Sequence, residues 1–109
     1  MLLAFTLLQG LDVMAETYYT QSSGEINTLS NWNTNTGGGG ASPTGFTGTH
    51  SWIIQTGHDM IMSGDWLVGG EATVIINGGL VVSATYLVAV TGELTVNGIL
   101  TNSGTYASG

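Results

Sequence analysis

The side chains able to do chemistry are few and sit close together. His50, His58, Asp59 and Asp65 form the one imidazole and carboxylate cluster of the chain. Such a group could hold a metal ion if two or three of its members converged on one point. His58 and Asp65 each follow a glycine, so equivalent turns stacked on one another could bring them close. The plainer reading is that each of these groups hydrates a turn, because their spacing matches no ligand motif. The calcium-binding nonapeptide Gly-Gly-x-Gly-x-Asp does not occur either.

Asp65, Glu71 and Glu93 could supply paired carboxylates for polysaccharide cleavage. That chemistry generally also asks for Arg or Lys to neutralise a substrate carboxylate or an enolate-like intermediate, and the chain contains neither. Trp52, Trp66, Tyr86 and Tyr106, with Trp32 before them, could stack on sugar rings, since an aromatic side chain carries a large apolar face and a polar handle. The competing reading has Trp52 and Trp66 packing the first turn of a repeat while Trp32 covers its open end. No G-x-S-x-G elbow is present. The run Gly37 to Gly40 opens no helix after a strand and makes no dinucleotide fingerprint. The expectation is therefore a chain that is not an enzyme, with no catalytic residue, metal site or cofactor.

Composition narrows the partners. Among 109 residues there are seven carboxylates and no Lys or Arg, giving a formal net charge of −7. Nucleic acid is excluded, because phosphate recognition needs cations, and an anionic membrane surface is excluded for the same reason. A P-loop lacks its lysine. Disorder is disfavoured by an apolar content of 42 % rich in Val, Ile and Thr, residues that fit pleated, half-buried surfaces. Cysteine is absent, so the fold depends on its core or on stacking rather than on disulfides. A surface of Thr, Ser, Asn and carboxylates suits a protein outside the cell.

Three segments are expected to position these residues. Residues 1–15, MLLAFTLLQGLDVMA, read as a secretory signal with an apolar stretch from Leu2 to Leu8 and a cleavage site after Ala15. The usual basic start is missing, and the alternative is a buried N-terminal helix. The apolar stretch is too short for a membrane span, which takes roughly 20 residues, so no membrane insertion of the mature chain is expected. Residues 16–49 hold Trp32 and a Gly/Ser/Thr/Asn-rich loop, read as an N-terminal cap. From residue 50 to 109 short apolar runs alternate with small turns. Counting the second glycine of each Gly-Gly pair, glycines punctuate the segment at 57, 64, 70, 79, 92, 98 and 104, and most of the gaps are six or seven residues.

Runs of three to five residues make strands of about 10–17 Å. Strands this short suit a chain that coils and pairs each rung with the next, which predicts an all-β fold: a β-solenoid, or right-handed parallel β-helix, behind an N-terminal cap. Rungs of roughly 18–20 residues would give about three of them. The inward positions are expected to be Ile53, Ile61, Leu67, Val74, Ile76, Val81, Val88, Val90, Leu94, Val96 and Leu100. The alternative architecture is a β-sandwich, which also has many short strands.

Tyr18, Tyr19, the run Leu29-Ser30-Asn31-Trp32, then Pro43, Phe46 and Thr47 resemble the N-terminal region of large secreted surface proteins of the Bacteroidota, and GELTVNGILTNSGTY resembles the β-helical repeats that follow it there. The resemblance implies an exported adhesin or surface scaffold delivered by type IX secretion, whose sorting domain is not in this sequence, so that the chain reads as a fragment that stops within its repeat. It implies a secreted or cell-surface location. Partners expected on these grounds are a cell-surface or extracellular polysaccharide, or further copies through the solenoid ends. A carbohydrate-binding or polysaccharide-processing β-helix with its active part downstream is the alternative function.

Overall fold

The computed structural model of the chain describes residues 15–108. The leader expected over residues 1–15 lies, but for Ala15, outside them. The described chain is all-β, with twelve strands and a single 3-10 turn at Leu29–Asn31. The N-terminal part supplies β1 (Thr17–Thr20), β2 (Gly24–Glu25) and β3 (Trp32–Asn33). Three sets of three follow: β4 (Ser51–Ile54), β5 (Asp59–Ile61) and β6 (Trp66–Val68); β7 (Thr73–Ile76), β8 (Gly79–Val82) and β9 (Leu87–Val90); β10 (Glu93–Val96), β11 (Ile99–Asn102) and β12 (Thr105–Ser108).

The chain visits three sheets in a fixed cycle. The first sheet has the order β10-β7-β4-β1-β3, the second β11-β8-β5-β2 and the third β12-β9-β6. Every pairing is parallel except β1 with β3. The antiparallel hairpins on which a β-sandwich is built are therefore not the organising contact. Ser51 lies beside Thr73 and Thr73 beside Glu93, steps of 22 and 20 residues. Asp59 lies beside Gly79 and Gly79 beside Ile99, two steps of 20. In these two sheets, paired residues of successive parallel strands are thus 20 or 22 residues apart.

Parallel register brings like residues together. Tyr18, Trp52, Val74 and Leu94 form one inward column of the first sheet, and Ile54, Ile76 and Val96 another. The second sheet contributes Met60, Leu80 and Leu100, and the third Trp66, Val88 and Tyr106. The turns repeat as well. Asn77 and Gly78 both donate their backbone N–H to the Ile54 carbonyl, and Asn97 and Gly98 do the same to Ile76 one circuit on. Asn97 Nδ2 then donates to Asn77 Oδ1 at 2.9 Å, tying the two turns side chain to side chain.

The inward set departs from the sequence expectation in a systematic way. Val74, Ile76, Val88 and Val90 are buried, but Ile61, Leu67 and Val81 face outward and Ile53 is half-buried. Their places are taken by Met60 and Met62, Trp66 and Val68, Leu80 and Val82, and Trp52 and Ile54. In SWII, MIM, WLV and LVV consecutive residues are apolar, so no polar alternation marks the outer face. A phase error of one residue then inverts the whole strand. The large areas of Trp52 and Trp66 decide the phase, since they gain most from leaving water. Val96 shares a column with the fully buried Ile54 and Ile76 yet is 42 % exposed, because β10 has a strand on one side only.

Candidate functional site

The aromatic residues gather where residues 16–49 meet the first circuit. Trp32 stacks on Trp66 with ring centroids 6.0 Å apart and meets Trp52 edge-on at 5.4 Å. Phe46 packs on Trp32, Trp52 and Trp66, and Tyr18 stacks on Trp52 at 4.8 Å. Trp32 Nε1 donates to the Ile26 carbonyl at 2.9 Å. The indole N–H groups of Trp52 and Trp66 are buried without a partner among the described residues, at a cost of about 1–3 kcal/mol each. All three tryptophans are fully enclosed. The expectation that Trp52 and Trp66 offer a face to a sugar is corrected here: both ring faces are already taken by protein. Tyr86 and Tyr106 are half-buried and packed against the core.

The imidazoles and carboxylates are brought together only in part. His50 Nδ1 accepts the backbone N–H of Glu16 at 3.0 Å, and its ring meets Tyr18 edge-on. His58 Nδ1 is 2.7 Å from Thr20 Oγ1, which also accepts the backbone N–H of Gln55. Asp65 Oδ1 accepts the backbone N–H of Leu87 one circuit away, at 2.9 Å. His50 and His58 thus tie the N-terminal segment to the first circuit, and Asp65 ties the first circuit to the second. His58 lies between β4 and β5 and Asp65 between β5 and β6, so they occupy different corners instead of stacking. Among the described residues no three His, Asp or Glu side chains come together as a metal would need. Glu71 and Glu93 share the corner entering the first sheet, while Asp65 sits at another.

Tyr18 holds its phenolic proton more tightly than a free tyrosine does. Burial, and secondarily the negative charge of Glu16, raise its pKa above the ordinary 10.0. The folded state then binds the phenolic proton more tightly than the unfolded chain does. This stability is complete below pH 10 and is lost as pH climbs from there through the folded pKa. The tyrosinate absorbance of the wild type minus that of Tyr18→Phe should titrate with a midpoint above 10; a midpoint at or below 10 refutes the assignment.

A concave feature lies on the outer face of the second sheet, a shallow groove of about 220 Å³. Its outward columns are Asp59, Gly79, Ile99 and Ile61, Val81, Thr101. Ile99 is 69 % exposed and Ile61 51 %. Sequence reasoning missed this groove by assigning Ile61 and Val81 to the core. The signal was present: a strand apolar at every position, in a sheet with one face in water, must expose an apolar residue.

No protein-family model, curated protein or solved structure matches this chain.

Proposed function

We propose that this chain is a short parallel β-solenoid, capped by residues 16–49, that serves as a non-catalytic rigid scaffold or adhesive surface outside the cell. The observation that carries this reading is the in-register pairing of successive circuits in all three sheets, with His50 and His58 spent on holding the cap to the first circuit and Asp65 on holding that circuit to the next. Function then resides in a stiff stack and its outer faces. The resemblance of the N-terminal block to exported Bacteroidota surface proteins supplies the expected location.

Stiffness is measurable as hydrogen exchange. Strands β7, β8 and β9 have a neighbour on both sides, so their amides should exchange slowest, and those of the edge strands β10, β11 and β12 faster. Uniformly fast exchange sinks the scaffold reading. The functional test is a panel of surface polysaccharides and glycans incubated with the chain, read for binding and for new reducing ends. The scaffold reading expects neither cleavage nor a glycan-specific, saturable response. Saturable binding of one glycan hands the function to carbohydrate recognition, and cleavage would make the chain an enzyme.

A further inference from the structure

The geometry points to the groove on the second sheet as a docking site for a lysine side chain of a partner protein. Three observations converge on it. The floor is Gly79, whose missing side chain makes the dent; a Cβ there would fall 2.8 Å from Asp59 Oδ1, so the carboxylate leans over the gap. The walls are Ile61, Val81 and Ile99, all exposed although apolar. Asp59 differs from Asp65 in its commitments. Its backbone N–H donates to Ser23 Oγ at 2.9 Å, but its carboxylate accepts no hydrogen bond among the described residues, whereas that of Asp65 holds Leu87.

An apolar trough ending in one unengaged carboxylate matches an alkyl chain that ends in a cation. Lysine has that shape: its methylene stem covers apolar surface while the ammonium reaches the charge. The cation must come from elsewhere, because this chain has no Lys or Arg and carries a net charge of −7. The same negative field attracts a basic partner and repels acidic ones. The volume of about 220 Å³ is below the range of small-molecule pockets, about 300–1,000 Å³, and suits a single side chain. This inference rests on the scaffold reading in one respect, that the second sheet is an outer face of a folded stack.

The experiment is an amide-shift titration of the chain with n-pentylamine hydrochloride, beside pentan-1-ol as the uncharged chain of the same shape. Saturable shifts are expected at Asp59, Ile61, Gly79, Val81 and Ile99, with the amine preferred by up to about five-fold, the ceiling for an exposed ion pair. That preference should vanish in Asp59→Asn, which keeps the backbone bond to Ser23, and at high salt. Gly79→Val should fill the dent and abolish both responses. A peptide with one lysine should reproduce the amine pattern, and its Nε-acetylated form should not. Equal binding of amine and alcohol, or shifts scattered outside the groove, overturns the inference. Hydrogen exchange on the same samples separates the two readings: protected strands with no amine response defeat the groove alone, and unprotected strands defeat both.

Discussion

Trp52→Ala should cost this fold about 3–5 kcal/mol, the range for truncating a large buried aromatic residue. Trp52 is fully buried and touches more of the aromatic cluster than any other ring: Tyr18 at 4.8 Å, Phe46 at 5.1 Å, Trp32 at 5.4 Å and His50 at 6.0 Å. It is also one of the contacts through which β1 and the cap segment sit on the first circuit, since Tyr18 pairs with it directly along the ladder. Its removal therefore loosens the seat of the cap as well as hollowing the core. A chain of this size has about 5–15 kcal/mol in total, so the variant keeps only part of its stability. In urea, where small domains lose about 1–3 kcal/mol per molar, the midpoint should fall by about 2 M and the near-ultraviolet aromatic signal should weaken before the far-ultraviolet one. Trp52→Phe is the companion variant. It loses ring area but also removes an indole N–H that has no partner, so its cost should be under half that of alanine. A loss below about 1 kcal/mol in Trp52→Ala would mean that the aromatic cluster does not hold the cap.

How far the sequence reveals this arrangement depends on which residues carry the signal. The repeat length is legible because glycines and Asn-Gly pairs punctuate it, and the structure places Asn77-Gly78 against Asn97-Gly98 in one recurring turn. The parallel pairing is legible from strands too short for hairpins. The phase of the first circuit is not. Trp52, Ile53 and Ile54 are equally plausible core residues when read singly, and only the fit of two tryptophans against Trp32 and Phe46 selects among them. The roles of His50 and His58 are hidden for a different reason. Their partners, Glu16 and Thr20, lie 34 and 38 residues away in sequence, and nothing local marks a side chain that bonds to the cap. The groove at Gly79 combines both difficulties, being built from three circuits and from residues that pattern alone assigns to the interior.

Gly92→Ala should be the second large effect, with a sign that depends on stacking and not on glycine content. A Cβ at Gly92 would collide with the carbonyl oxygen of Ala72 in the preceding circuit and lie 2.9 Å from the Glu71 carbonyl carbon. That same Ala72 oxygen accepts the backbone N–H of Glu93 at 3.1 Å, so the turn cannot back away without breaking a bond between circuits. Gly98 meets the carbonyl of Gly78 in the same manner. Backbone against backbone leaves no rotamer to relieve the contact. Overpacking costs about 1–3 kcal/mol and the lost hydrogen bond about 1 kcal/mol more, so a loss of about 3 kcal/mol is expected in urea unfolding. Gly64→Ala is the control, because Gly64 lies in open space and has no positive φ. There the unfolded chain loses freedom while the folded chain loses nothing, and a gain of about 0.4–1 kcal/mol is expected. The same chemical change then destabilises at one corner and stabilises at another. Equal effects at the two positions would mean that the turns of neighbouring circuits are not in contact, and the stacked arrangement that orients the outer faces would fail with them.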